Sequence, residues 1–234
     1  MPAELKDIKE EDRLDFEKRL ANYGLDLSSL ISNELTTVPS SITPLYIGNA
    51  VQSKFSPIIL KTSDFDQVNQ WIGTPDTIAD KTKFVVDVPK PLRFENLNLR
   101  RTVVELPEED ALAKLKVEDL SSEHLHTIRK AAKAYIDGDS RKLKAFKPWI
   151  EKLFPVIDIH VWPFFNVTVK SGSVLEFGPG AHVLSAYNLT IEKGGLVRCY
   201  GHLKVDAVII EKTEPFKFIE LSAAVLESIK TVRQ

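Results

Sequence analysis

A single cysteine, Cys199, excludes an intrachain disulfide, and a lone small thiol among apolar neighbours reads as a buried hydrophobe. The chain has no apolar stretch approaching the ~18 residues that a membrane-spanning helix needs. Its N-terminus is charged from Glu4 onward, so no signal peptide is expected, and with the single cysteine this predicts a cytoplasmic setting. No charge of one sign dominates. The formal net charge is −2, which provides no bulk attraction for nucleic acid or anionic membrane. Glycine loops of the phosphate-binding kind are missing too: Gly178-Pro179-Gly180 and Gly194-Gly195 precede no helix and no Lys-Ser/Thr pair. Neither a Ser-His-Asp nor a Cys-His constellation stands out, and no cofactor motif is present.

What is there is a repeat. Residues 160–169 read HVWPFFNVTV and residues 182–191 read HVLSAYNLTI, an offset of 22 residues. His, Val, Asn and Thr recur, and an aromatic precedes each Asn. A third copy is expected to begin at His202-Leu203-Lys204-Val205. Self-similarity at a period of about 20–50 residues marks stacked architectures. Short β-like runs separated by Gly, Asn and Ser within each unit predict a mainly β chain with helical additions. The expected fold is a right-handed parallel β-helix, a solenoid of few coils, with a helical insertion and a C-terminal capping helix. Asn166 and Asn188 should then stack as an amide ladder at a turn. That ladder is the simpler reading of the two Asn-x-Thr sequons, Asn166–Thr168 and Asn188–Thr190. A further coil is expected around 84–106, where Val85-Val86-Asp87-Val88 resembles Val156-Ile157-Asp158-Ile159.

The rest of the chain divides into an N-terminal helix and extended arm, 1–57, and a solenoid domain, 58–234, interrupted by a helical insertion at 107–153. Phe16, Leu20 and Tyr23 give the first helix a thin apolar face, and Gly24 stops it. Leu25–Ile31 is a short apolar cluster followed by a Pro/Ser/Thr stretch with little to bury against locally. The arm is therefore expected to reach a second copy and make a homo-oligomer. Asp64 to Ile72 predicts a short helix. Ser121 caps a helix carrying Leu125, Ile128, Ala132 and Tyr135, and Pro148 restarts the next one. Phe216–Ile219 predicts a last strand, and Ser222 to Val232 a closing helix.

The chemistry on offer is thin. His160, His182 and His202 at equivalent places suggest a metal site, since imidazole suits zinc. Stacking points equivalent side chains parallel, however, which favours a structural imidazole ladder. Asp87, Asp158, Glu176 and Asp206 are the carboxylates of the repeat region. β-helix enzymes that act on polysaccharides use paired carboxylates, yet these four are scattered over coil positions. Arg129, Lys130, Lys133, Arg141, Lys142, Lys144 and Lys147 form the densest basic region, which reads as a solvated helix face.

The segment Leu189-Thr-Ile-Glu-Lys-Gly-Gly-Leu-Val-Arg-Cys-Tyr-Gly-His-Leu-Lys-Val-Asp-Ala-Val-Ile-Ile resembles the coil style of bactofilin-type and other parallel β-helix proteins. The resemblance covers about 70 residues and implies an uninterrupted solenoid that polymerises end to end. The helical insertion and the arm depart from that pattern. The function expected is a non-enzymatic structural or binding protein that self-associates, with a polymeric or protein ligand. A carbohydrate-active lyase or hydrolase and a His-ladder metal binder are the alternatives.

Overall fold

The computed structural model describes residues 8–45, 53–73, 116–137, 140–212 and 219–220. The expected coil at 84–106, with Asp87, the start of the insertion at 107–115 and the closing helix at 222–232 lie outside the described residues. The chain forms two compact units, 1–61 with 158–234, and 62–157.

The first unit is built largely on parallel strands. They are β1 (Ser32–Thr36), β2 (Ile42–Leu45), β3 (Ile58–Thr62), β4 (Ile157–Val169), β5 (Val174–Phe177), β6 (Ala181–Ile191), β7 (Leu196–Cys199), β8 (His202–Lys212) and β9 (Ile219–Glu220). The larger sheet has the order β1-β4-β6-β8 with β3 on β4, and the smaller has the order β2-β5-β7-β9. The expected right-handed parallel β-helix is corrected by this arrangement. Among the described residues the chain is mixed α/β, its parallel strands lie in two separate open sheets, and neither sheet closes or coils. The physical reason lies in strand length. The repeat predicted three short runs per unit. Residues 157–169 instead hold no residue that forces a turn, so they make one strand of 13 residues that pairs with β6 from Ile159 to Val169.

The 22-residue offset is the register of that pair, with His160 beside His182 and Asn166 beside Asn188. Side-chain direction changes within the strand. Trp162 and Phe164 enter the apolar cluster, and so do Val167 and Val169, which skips two residues rather than one between Phe164 and Val167. In a regular strand alternate residues share a face, so the chain bends at Phe165-Asn166. Phe165 and Tyr187 consequently turn outward together, stacked at 4.9 Å and 11°.

The arm does not stand free. Its residues 32–45 supply β1 and β2, and Leu35 and Leu45 are buried with Phe164, Val167, Leu175 and Phe177. This removes the reason for expecting the arm to seek another subunit. Thr37 is the tie at the turn. Its N–H donates to the Thr168 carbonyl at 2.9 Å, its Oγ1 accepts from Lys170 N–H at 2.8 Å, and the Ser173 hydroxyl joins it. Helix α1 (Glu10–Ala21) lays Phe16 against both outward aromatics, 6.2 Å from Phe165 and 6.1 Å from Tyr187. Gly24 ends it at φ 69°, a conformation that costs an L side chain about 1–2 kcal/mol.

The second unit is helical among its described residues. Helices α2 (Phe65–Ile72), α3 (Ser122–Asp137) and α4 (Lys147–Leu153) follow the expected spacing, and a 3-10 turn (Ser140–Phe146) precedes Pro148 in the first turn of α4. Asp64 caps α2 by accepting from Asp66 N–H, and the Ser121 hydroxyl accepts from His124 N–H at 3.2 Å. Phe65 packs edge-on against Tyr135, with ring centroids 6.1 Å apart. No described helix is long and apolar enough to cross a membrane.

Candidate functional site

The histidines come first because two of them meet. The rings of His160 and His182 lie 5.2 Å apart. His182 is 1% exposed, and both its nitrogens are engaged. The Trp162 indole can only donate, so its Nε1–H at 3.3 Å makes His182 Nδ1 the acceptor. Nε2 then carries the proton and donates to the Gly178 carbonyl at 2.9 Å. Burial first, and then the neighbouring His160, push its pKa down to about 4. Burial likewise lowers the pKa of His160, against the opposing charge of Asp158. A metal at His182 would have to displace both hydrogen bonds.

His202 is not the third member of this ladder. It pairs with Ala181, while Leu203 takes the place beside His182. The repeat offset drops from 22 to 21 because the turn between β7 and β8 is Tyr200-Gly201, one residue shorter than Gly178-Pro179-Gly180. A one-residue slip moves a side chain to the other face of a sheet. The short turn stacks tightly: a Cβ on Gly201 would fall 2.0 Å from the Gly180 carbonyl oxygen. Among the described residues, no three His, Cys, Asp or Glu side chains are grouped to hold a metal ion.

The carboxylates are dispersed. Asp206 faces Ser185, which faces Pro163, so Asp158 lies two strands away and five residues along. At about 4.8 Å per strand and 3.3 Å per residue this separates the two by roughly 19 Å. Five is also an odd number of residues, which sets their side chains on opposite faces. A glycosidase pair needs about 5–9.5 Å. Glu176 belongs to the smaller sheet.

Each carboxylate has structural partners instead. Asp206, 7% exposed, accepts from Arg19 Nη1 at 2.6 Å and from the Tyr23 hydroxyl at 2.9 Å, which pins α1 to β8. Burial and the Asp206 charge hold the Tyr23 hydroxyl firmly protonated. Lys204 sits 5.8 Å above the Tyr23 ring, its pKa lowered by burial. Glu176 Oε2 accepts from Arg198 Nη1 at 3.1 Å and from the Tyr200 hydroxyl at 3.2 Å. Asp158 meets Lys61 at 3.4 Å on the surface.

Asn188 turns its amide to Thr190 Oγ1 at 3.5 Å, along its own strand rather than across to Asn166. Asn166 is 5% exposed, which leaves no room for a glycan there. The basic residues do not form a face of one sign. On α3, Glu123, Lys130, Lys133 and Asp137 recur at helical spacing, and Lys133 pairs with Asp137 at 3.0 Å. Lys147 is held by Asp64 at 2.7 Å and Asp66 at 2.5 Å.

One signal for these partners was present in the sequence. Glu176 and Arg198 stand at the repeat offset with opposite charge, as do Lys170 and Glu192, which meet at 2.7 Å. No such signal ties Arg19 and Tyr23 to Asp206, more than 180 residues away. Comparison with protein-family models, curated proteins and solved structures returns no match.

Proposed function

We propose that this chain is a non-enzymatic structural or binding module that associates with itself. The observation that carries the reading is the engagement of its reactive groups. Asp206, Glu176 and His182 are each bound by two side-chain or backbone partners that hold neighbouring elements together. A general acid or nucleophile must instead be within reach of a substrate atom. The separation and opposite facing of Asp158 and Asp206 speak against the carbohydrate-active alternative. The engaged nitrogens of His182 speak against the metal binder. The buried Cys199, which is in no disulfide, is in keeping with a reducing, cytoplasmic setting.

The test has two arms. A panel of polysaccharides should be left intact by the purified chain, and elemental analysis should find no stoichiometric transition metal. Glycan cleavage that disappears in Asp206→Asn would overturn the reading. In light scattering the intact chain should be heavier than one copy at micromolar concentration.

A further inference from the structure

The turn between β5 and β6 is seated on two imidazoles. His182 Nε2–H donates to the Gly178 carbonyl at 2.9 Å, with the Pro179 carbonyl at 3.4 Å. Gly180 lies against both rings: a Cβ there would fall 3.7 Å from His160 Nδ1 and 3.8 Å from His182 Nε2. The next turn leans on this one. His202 N–H donates to the Gly180 carbonyl at 2.8 Å, and Tyr200 N–H to the Phe177 carbonyl at 3.0 Å.

This seat holds only a neutral His182. An imidazolium donates from both nitrogens, so a proton on Nδ1 would face the Trp162 indole N–H, donor against donor. Trp162 is fully buried in the apolar cluster and is held there by its packing. The titratable groups that face His182 are His160 of β4, 5.2 Å between ring centroids, and His202 of β8. β5 presents the Phe177 ring at 5.6 Å. No carboxylate is among these neighbours. Asp158 acts on His160 instead, opposed by Lys61 of β3.

We propose that His182, backed by His160, is an acid-sensitive latch on this end of the sheet unit. Protonation releases Gly178-Pro179-Gly180 and the Tyr200-Gly201 turn stacked on it, while the remaining strand pairing persists. The proton enters at Nδ1 and breaks the Trp162 bond. The imidazolium leaves for water, and the bond from Nε2 to the Gly178 carbonyl goes with it. The opening uncovers the Trp162 and Phe177 rings that pack on the imidazole. The closed form holds His182 near a pKa of about 4, and the opened form returns it to about 6.5. The closed turn is therefore fully stabilised above pH 6.5 and loses that stabilisation as pH falls toward 4. Between pH 7.5 and pH 5 the opened population should rise about 30-fold.

Amide hydrogen exchange of the full chain at the two pH values, corrected for intrinsic rates and repeated in low urea, tests the proposal. The Tyr200 and His202 amides should open about 30-fold more often at pH 5, with a urea dependence well below that of whole-chain unfolding. The Gly172 and Gly195 amides, bonded in the turns at the opposite end of the strands, should change little. His182→Gln keeps an acceptor for Trp162 and a donor for Gly178 but does not titrate. It should abolish the pH dependence at Tyr200 and His202. Nitrogen chemical shifts of the wild-type His182 ring give a reading independent of the variant, and the closed form should keep the neutral Nε2–H tautomer at pH 5. An imidazolium in the closed form would overturn the latch. So would a pH dependence that survives His182→Gln, or one absent from the wild type. Exchange at Tyr200 and His202 with the full urea dependence of global unfolding would also overturn it, because His182 would then titrate only in the unfolded chain.

Discussion

The two units are held together by different kinds of information. In the sheet unit the strands are matched by register, between residues 21, 22 or 132 positions apart. In the helical unit the decisive contacts follow from local helical spacing. Phe65, Val68 and Ile72 share one buried side of α2, and Ile128, Ala132 and Tyr135 one buried side of α3. Register is unforgiving, because a slip of one residue exchanges core and solvent faces. Helical packing tolerates small shifts, since ridges settle into neighbouring grooves over a range of angles. Substitutions that strike a buried tie in the sheet unit should therefore cost more than those that strike a surface tie in the helical unit.

The largest effect is expected at Asp206. Replacing it with alanine strands the Tyr23 hydroxyl and leaves the Arg19 guanidinium with Asp15 alone. Removing one partner of a buried ion pair typically costs 3–5 kcal/mol, and the partial exposure of Arg19 places this case at about 3 kcal/mol. Asp206→Asn keeps an acceptor for Tyr23 and should lose roughly half as much, since a net hydrogen bond is worth about 1 kcal/mol. Urea midpoints of the two variants measure the difference. Equal stability of Asp206→Ala and the wild type would mean that α1 is not fastened at this point.

A smaller effect should appear on acidification, and it also belongs to the sheet unit. His182 is neutral in the fold with a pKa near 4, against about 6.5 in the unfolded chain. A base whose folded pKa is depressed contributes stability that is complete above its unfolded pKa. That stability is lost as pH falls from 6.5 toward 4, because the unfolded state binds the proton more readily. Between pH 7.5 and pH 5 the loss should be about 2 kcal/mol. His160, shifted the same way by burial, adds to it. His182→Gln should flatten this slope in urea titrations at the two pH values. A slope unchanged by the substitution would assign the acid sensitivity to other groups.

How far these ties could be read in advance differs between the units. The helical unit was legible because spacing, caps and Pro148 act within a few residues of one another. In the sheet unit the repeat announced the β4–β6 register and the stacked pairs Phe165–Tyr187 and His160–His182. It did not announce that residues 157–169 would run as one strand, nor that two sheets would form. Strand length depends on pairing partners that lie far away in sequence. β1 and β2 were missed because residues 32–45 lack the His-Val…Asn motif and match only through alternation, with Leu35 and Leu45 falling on core positions. The third histidine was misplaced because a turn one residue shorter moves everything after it, and no residue in Tyr200-Gly201 advertises its length. The pins on α1 were invisible because an acid, a guanidinium and a phenol separated by most of the chain leave no periodic trace.

The smallest effect is expected in the helical unit, at Lys147. Its ammonium group lies 2.7 Å from Asp64, 2.5 Å from Asp66 and 3.6 Å from Glu151. Asp66 also accepts from the Tyr135 hydroxyl, and its pKa is lowered by Lys147 first and by Tyr135 second. Lys147 therefore ties α2 to α4, and Asp66 carries the tie on to Tyr135 of α3. The carboxylates of Asp64 and Asp66 are exposed, however, so water and salt already screen much of the attraction. Isolated surface pairs are worth well under 1 kcal/mol, and a network of three raises Lys147→Ala to about 1 kcal/mol. Part of that cost is repulsion among the three carboxylates left facing one another. Repulsion between exposed charges fades once the Debye length shrinks to about 3 Å near 1 M salt. The Lys147→Ala penalty should accordingly shrink in high salt, whereas the Asp206→Ala penalty, set by buried groups, should hardly move. Thermal melts of both variants at low and high salt make the comparison directly. A Lys147→Ala loss as large and as salt-independent as that at Asp206 would mean that the helical unit, too, hangs on a buried polar tie.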